Sequence, residues 1–144
     1  MKKLLLLLTA CVLIAACGRT SARKTAAAAA TPTEDRVEVL YFHSKQRCAT
    51  CLAIEKNTRE ALEARFADEL KKGTLVFRSI DITEPENQAL AETYEVTWSS
   101  LFVTEWRDGR SQSENLTEFA FANARTAPEQ FRKGLTDDIA ARLR

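Results

Sequence analysis

Residues 36–51 read Arg-Val-Glu-Val-Leu-Tyr-Phe-His-Ser-Lys-Gln-Arg-Cys-Ala-Thr-Cys. The first part of this stretch is an apolar run, Val37 to Phe42, of the kind that forms a strand buried on both faces of a parallel sheet. The stretch ends in Cys48-Ala49-Thr50-Cys51, and a helical pattern of apolar residues then extends from Leu52 to Leu70. These residues therefore predict a strand, a short loop and a helix that begins with a pair of cysteines.

A Cys-x-x-Cys pair between a strand and a helix is typical of thiol–disulfide chemistry. Free N–H groups and the macrodipole at a helix N-terminus stabilise an anion, and Lys45 and Arg47 add positive charge directly before the pair. We expect Cys48 to be the attacking thiolate and Cys51, one turn further, to be the thiol that resolves a mixed disulfide. His43 is a candidate for tuning the thiolate or relaying a proton, although a lone histidine at a strand end is more often packed or solvated.

The same pair of cysteines also fits a structural disulfide or half of a zinc site. A structural zinc ion needs about four ligands, mostly cysteine and histidine. Once the N-terminal segment described next is set aside, the chain offers only Cys48, Cys51 and His43. We therefore predict no structural zinc site formed by a single chain.

The first 17 residues are typical of a bacterial export signal. Met1-Lys2-Lys3 is a short positive segment, and an apolar core follows it. The end of the segment, Leu13-Ile14-Ala15-Ala16-Cys17, resembles a lipobox, in which the cysteine is lipidated and becomes the new N-terminus. The resemblance implies a lipid anchor at Cys17 and a domain in the bacterial cell envelope that faces the periplasm or the exterior. The alternative is an ordinary secretory signal or an N-terminal anchor.

Residues 18–35 predict a flexible tether, and residues 36–144 predict one folded domain. The tether contains the run Ala26 to Ala30 and has no apolar periodicity, so it cannot bury enough surface to fold alone. The net charge of +1 lacks the basic excess of a protein that binds nucleic acid. We expect a monomer whose remaining cysteines, Cys48 and Cys51, lie in an oxidising compartment.

The rest of the chain predicts three more strands and two more helices. The predicted strands are residues 74–82, 101–106 and 112–117, and the helices are residues 85–94 and a last one that carries Phe131, Leu135, Ile139 and Leu143. Capping-box patterns at residues 83–86 and 126–129 mark the starts of these helices. Asp108-Gly109 predicts a hairpin turn between two strands, and residues 118–125 are ambiguous between helix and loop.

The order β-α-β-α-β-β-α with Cys-x-x-Cys at the start of the first helix resembles the thioredoxin fold in its shorter, glutaredoxin-sized form. The resemblance covers about residues 36–143 and implies an α/β fold with a central mixed four-stranded sheet and flanking helices. The segments Ser79 to Ile82 and Ala89 to Val96 are similar to the part of thioredoxins that leads to the substrate loop. In this chain that loop would be Trp98, Ser99 and Ser100.

This chain departs from the thioredoxin pattern at several positions. Ser100 stands where the family has a cis-proline, and a cis bond before serine would cost about 3–4 kcal/mol, so we expect a loop that is trans or built differently. In the family, that proline presents backbone to the substrate and discourages metal binding. Arg47 replaces a tryptophan, Ala49-Thr50 replaces Gly-Pro, and the first strand has no carboxylate in its run Val39 to Phe42. Trp98 is more often a packing residue than a site residue.

More narrowly, Tyr-Phe-His-Ser followed by Arg-Cys-Ala-Thr-Cys, together with the lipobox, resembles small exported thioredoxin-like proteins of bacterial arsenic-resistance clusters, which are labelled as subunits of a nitrophenyl-compound nitroreductase. Nitro reduction normally needs a flavin, and the sequence has no flavin site, so we expect no cofactor.

We therefore expect a membrane-tethered thiol–disulfide oxidoreductase whose partners are protein thiols or disulfides and a membrane thiol electron donor. The alternatives are a dithiol that binds a soft metal or arsenite, and a subunit that passes electrons within a larger reductase.

Overall fold

The computed structural model describes Pro32 and residues 34–144, and these form a mixed four-stranded sheet with helices on both faces. The export signal, Cys17 and nearly all of the predicted tether lie outside the described residues. The strands are β1 (Arg36–His43), β2 (Leu75–Asp81), β3 (Ser100–Arg107) and β4 (Arg110–Asn115). The helices are α1 (Ala49–Arg65), α2 (Ala67–Lys72), α3 (Gln88–Thr93), α4 (Thr117–Asn123) and α5 (Pro128–Arg142), and a 3-10 turn at Pro85–Asn87 precedes α3.

Strand β1 lies in the interior of the sheet, whose order is β2-β1-β3-β4. It pairs in parallel with β2 and antiparallel with β3, and β3 pairs antiparallel with β4. Parallel pairing of β1 and β2 requires a crossover, which α1 and α2 provide. This element order and strand order are those of a thioredoxin-like α/β fold, so the predicted fold class is confirmed.

The apolar run of β1 is buried on both faces, as the sequence predicts. Val37, Val39 and Tyr41 pack on one face against α1, α4 and α5, whereas Leu40 and Phe42 pack on the other face in a cluster that includes residues of α3. Side chains of a strand alternate between faces, so a continuous apolar run requires a helical layer on each side. Both layers are present, and together they fix the end of β1 from which the cysteines follow.

The predicted long first helix is interrupted at Phe66. This residue has φ −131° and ψ 32°, and it ends α1 and begins α2. Its ring is buried in the core, and its N–H still donates to the carbonyl of Leu62. The prediction of one helix to Leu70 was wrong, because the backbone of Phe66 leaves the helical conformation where its ring is buried in the core.

Two other local predictions need correction. The predicted strand 112–117 is β4 at Arg110–Asn115, and the ambiguous stretch after it is the helix α4. Neither capping box forms: the Thr83 hydroxyl donates to the Asp81 carboxylate, and the Thr126 hydroxyl donates to the carbonyl of Ala122. Each threonine therefore bonds to a residue that precedes it instead of capping the helix that follows.

The hairpin between β3 and β4 turns at Asp108-Gly109, as predicted. Both residues have positive φ, 50° for Asp108 and 72° for Gly109, which is the conformation of a two-residue type I′ turn.

No helix in the part of the chain that the structure describes is both long enough and apolar enough to cross a membrane.

Gly134 in α5 makes room for an aromatic ring of α4. A β-carbon at Gly134 would lie 2.5 Å from Cζ of Phe119, whose ring stacks on Phe131 at 5.9 Å between centroids. Alanine normally stabilises a helix interior by about 1 kcal/mol relative to glycine. Here the clash with the ring opposes that gain.

We predict that Gly134→Ala lowers the free energy of unfolding by about 1 kcal/mol or more, because overpacking outweighs helix propensity. Denaturant unfolding measures the change. In a Phe119→Ala background, the same substitution at Gly134 should instead stabilise the protein. A stabilising Gly134→Ala in the unaltered chain would contradict the packing described here.

Candidate dithiol site

Cys48 and Cys51 form a disulfide at the N-terminus of α1, and their Cα atoms are 5.0 Å apart. Cys48 is the N-cap residue of the helix, and the N–H of Cys51 donates to its Sγ at 3.0 Å. The first turn of α1 carries no acidic residue. The sulfur of Cys48 is therefore at a position where backbone N–H and the helix dipole favour negative charge.

The two cysteines differ in their access to solvent. Cys48 is exposed, whereas Cys51 is buried with 6% of its surface accessible. An incoming thiol or disulfide therefore reaches Cys48 first, and Cys51 is accessible mainly to the sulfur of Cys48. This arrangement matches the predicted roles of an attacking and a resolving cysteine; the roles themselves stay predictions.

Tyr41 joins β1 to the dithiol helix. Its side chain is fully buried, and its hydroxyl donates to the carbonyl oxygen of Cys51 at 2.9 Å. Burial raises the pKa of the Tyr41 phenol, and the opposing effects of Arg47 and Ser99 are smaller. The phenol therefore remains a neutral hydrogen-bond donor beside the dithiol. Sequence reasoning missed this residue, although a tyrosine within a buried apolar run signals a hydroxyl that needs a partner.

Arg47 is held by a carboxylate of α1. Its guanidinium forms an ion pair with Glu55 and lies 5.7 Å from the centre of the Tyr41 ring. Glu55 also pairs with Arg59 at 3.2 Å, and only 18% of the Glu55 side chain is exposed. Burial alone would raise the pKa of Glu55, but the hydrogen bond from Arg47 and further donors bring it below its ordinary value.

Glu55 lies on α1 but does not belong to a solvated helix face. The helical period places Glu55 one turn after Cys51, where the loop that carries Arg47 folds back over it. The positive charge before Cys48 is therefore compensated in part by Glu55. Only the tertiary position of the loop brings the two side chains together.

His43 ends β1 and is half-buried. Its Nδ1 lies 3.0 Å from the carbonyl oxygen of Ser44, and its ring centre is 5.7 Å from that of Tyr41. Among the described residues, His43 makes no hydrogen bond to Cys48 or Cys51. A role for His43 in proton transfer stays a prediction.

The predicted substrate loop reaches the dithiol through Tyr41. Ser99 and Ser100 are buried, Ser99 faces the Tyr41 phenol, and the hydroxyl of Ser100 donates to the carbonyl of Trp98 at 3.1 Å. All peptide bonds of the described residues are trans, so this loop differs from the thioredoxin pattern as expected. Its contact with a substrate stays a prediction.

The exposed large apolar side chains among the described residues are Leu52 and Trp98. Leu52 directly follows Cys51, and Trp98 directly precedes the Ser99 that faces Tyr41. The indole of Trp98 is 60% exposed and stacks on Phe121 at 5.5 Å, so Trp98 packs on a neighbouring side chain without entering the core. Exposed apolar surface is thus found at the dithiol end of the domain.

Within Pro32 and residues 34–144, the structure has no group of three or more His, Cys, Asp or Glu side chains arranged to hold a metal ion.

Comparison with known proteins gives weak structural similarities only. No protein-family model matches the chain, and no curated protein is significantly similar to it in sequence. A solution structure of a thioredoxin from Thermus thermophilus is similar at 22% identity and a TM-score of 0.44, over 74% of this chain and 78% of the thioredoxin. A structure described as that of a malarial protein is similar at 15% identity and a TM-score of 0.39, over 60% of this chain and 93% of the other. These scores carry no functional conclusion, and the fold assignment depends on the strand order described above.

The ion pair of Glu55 predicts a pH-dependent contribution to stability. Because the pKa of Glu55 is lowered from its ordinary value of 4.5, its stabilising effect is fully present above that pH and is lost as the pH falls through the lower folded-state pKa. We expect Glu55→Gln to reduce the free energy of unfolding by about 1 kcal/mol at pH 7, and the difference from the unaltered protein to shrink below pH 4.5.

Denaturant unfolding at several pH values measures this effect. Glu60→Gln is the matched control, because Glu60 lies on the same helix with its side chain half exposed and should change stability by less than about 0.5 kcal/mol. Equal stability of Glu55→Gln and the unaltered protein at pH 7 would contradict the assignment.

Proposed function

We propose that this protein is a membrane-tethered thiol–disulfide oxidoreductase that acts through Cys48 and Cys51. The observation that carries the proposal is the asymmetry of the pair. Cys48 is exposed at the N-cap and accepts a hydrogen bond from the N–H of Cys51, whereas the Cys51 side chain is buried. One sulfur is thereby prepared for attack as a thiolate and the other for resolution.

The proposed reaction transfers two electrons from the dithiol to a substrate disulfide. The Cys48 thiolate attacks one substrate sulfur; the substrate S–S bond breaks, and the leaving thiolate takes a proton. The Cys51 thiolate then attacks Sγ of Cys48, the mixed disulfide breaks, and the second substrate thiol is released. The protein is left with the Cys48–Cys51 disulfide, which a membrane thiol electron donor reduces again. Run in reverse, the same steps oxidise a substrate dithiol.

A protein disulfide suits the surroundings of the pair better than a small molecule does. Leu52 and Trp98 expose large apolar side chains at the dithiol end of the domain. Such side chains gain stabilisation from burial against a protein surface. Protein thiols or disulfides are therefore the substrates that we propose.

The position of the tether supports presentation of the dithiol away from the membrane. The tether joins β1 at Arg36, while the loop to the cysteines leaves the opposite end of β1 at His43. A strand of eight residues is about 25 Å long. The carboxylate of Asp35 accepts a hydrogen bond from the N–H of Asp108 at 2.9 Å, which ties the entry of the tether to the far end of the sheet. A lipid anchor at Cys17 would thus leave the dithiol directed toward partners in the bacterial envelope.

A second candidate function is the capture of a soft metal ion or trivalent arsenic by the dithiol. Ser100 supports it, because this residue stands where thioredoxins carry the proline that discourages metal binding. A third candidate, an electron-passing subunit of a larger reductase such as the nitroreductase of arsenic-resistance clusters, would use the same dithiol with a different partner.

The cysteine variants test the proposed roles. Cys48→Ser should abolish disulfide exchange, because the exposed thiolate is lost. Cys51→Ser should accumulate mixed disulfides between Cys48 and its substrate, because the resolving thiol is lost. Non-reducing gels and reduction of insulin disulfides measure the two outcomes, and equal activity of the two variants would contradict the assignment.

The reduction potential of the pair against glutathione decides between the candidates. A potential near about −270 mV would indicate a reductase that needs an electron donor, and one near about −120 mV would indicate an oxidant. Failure to equilibrate with glutathione, together with stoichiometric arsenite binding, would instead support the binding function.

The lipid anchor is tested separately by Cys17→Ala. We expect this variant to leave the membrane fraction of bacterial cells, because the lipidated cysteine is its proposed attachment. Cys48→Ser, which leaves the anchor intact, is the control. Unchanged fractionation of Cys17→Ala would refute the lipoprotein proposal.

A further inference from the structure

We infer that Tyr41 is a positioning residue, whose hydroxyl holds the Cys51 backbone so that the Cys51 N–H points at the sulfur of Cys48. The inference rests on the proposed dithiol chemistry. Among the described residues, Tyr41 forms no hydrogen bond to either sulfur; its hydroxyl donates to the carbonyl oxygen of Cys51 at 2.9 Å.

Two hydrogen bonds meet on the Cys51 backbone. The carbonyl accepts from the Tyr41 hydroxyl, and the N–H donates to Sγ of Cys48 at 3.0 Å. The first turn of a helix is prone to fraying, because its N–H groups have no partner within the helix. A fixed donor in the central strand therefore restrains the turn that carries both cysteines.

The phenol is suited to this task because it lies on an interior strand of the sheet. Tyr41 is fully buried in β1, between the pairings of that strand with Ser79 of β2 and Leu101 of β3. Ser99 faces the same hydroxyl, so Tyr41 also links the dithiol to the loop at residues 98–100. Burial keeps the phenol protonated, and it thus remains a donor over the pH range in which thiolates form.

The charged and titratable side chains around the phenol are Arg47, Glu55 and His43. None of them changes in Tyr41→Phe, which removes only the hydroxyl. A change in the reactivity of Cys48 in this variant would therefore come from the lost hydroxyl, through its bond to Cys51 and its contacts with Arg47 and Ser99, and not from a lost charge.

The chain offers a matched control in Tyr94→Phe. The hydroxyl of Tyr94 also makes a hydrogen bond of 2.9 Å, with Thr104, and its ring packs against Phe42 and Phe102 on the opposite face of the sheet from Tyr41. The two variants each lose one hydroxyl, and only one of these hydroxyls contacts the dithiol turn.

The experiment measures alkylation of Cys48 by iodoacetamide against pH, in the full chain carrying Cys51→Ser and read out by mass spectrometry of the Cys48 peptide. Tyr41→Phe should slow alkylation at pH 7 about three- to fivefold and move the midpoint of the profile to higher pH, because the N–H donor to the thiolate is less well held. Tyr94→Phe should leave the profile unchanged. An unchanged profile in Tyr41→Phe would overturn the inference.

A second variant covers the case in which Tyr41→Phe does not fold. The chain has two tyrosines, so biosynthetic replacement by 3-fluorotyrosine in a Tyr94→Phe chain alters Tyr41 alone. The fluorinated phenol is a stronger donor and should move the midpoint to lower pH; no movement, or movement to higher pH, would overturn the inference.

Disulfide exchange by the chain with Cys51 intact is measured separately. If the alkylation profile of Cys48 depends on Tyr41 but the chain does not exchange disulfides, only the proposed function is refuted. If the chain exchanges disulfides but the alkylation profile of Cys48 does not depend on Tyr41, only the positioning role is refuted.

Discussion

The burial of β1 between two helical layers is the constraint on which the rest of the structure depends. Every residue from Val37 to Phe42 is buried, and both faces of the strand are covered. Since β1 pairs with β2 on one side and with β3 on the other, its position also fixes the sheet order. The loop that leaves its end must then turn over the edge of the sheet, and the cysteines stand at the point where the chain enters α1.

The dithiol is thus placed by the framework, while its chemistry depends on a few polar contacts. The helix N-terminus supplies N–H groups and a favourable dipole for a thiolate at Cys48. Tyr41 connects the turn to the buried strand, and Arg47 is drawn to Glu55 instead of lying free beside the sulfur. The backbone N–H groups of the helix N-terminus therefore favour negative charge at Cys48, while the nearby charge of Arg47 is paired with Glu55.

The carboxylate of the first strand, Glu38, is bonded to Arg36 and Trp106, and it lies on the face of β1 opposite Tyr41. Tyr41 lies on the same face as the dithiol helix but is a neutral donor, so it does not act as a base at neutral pH. Glu55 is held ionised by Arg47 and other donors. In the proposed reaction, protons that leave or reach Cys51 therefore exchange with water or with a group such as His43, and the resolving step is expected to respond to pH through the thiol itself.

Much of the fold and the core of the site could be predicted from local sequence. The apolar run of β1, the Cys-x-x-Cys at the start of α1 and the Asp-Gly turn each specify their structure through short-range rules of periodicity, capping and turn geometry. Local reasoning failed at Phe66, where the first helix is interrupted and the ring enters the core. It also failed at Thr83 and Thr126, which bond to residues two and four positions before them instead of capping. The contacts of Tyr41 with Cys51 and of Arg47 with Glu55 join residues eight to ten positions apart across a loop, and only the folded chain brings them together. By itself, therefore, the sequence determined which residues can do thiol chemistry and on which elements they lie, whereas the tertiary structure decided which side chains surround the sulfur atoms, because those neighbours depend on how the loop and helix pack on the central strand.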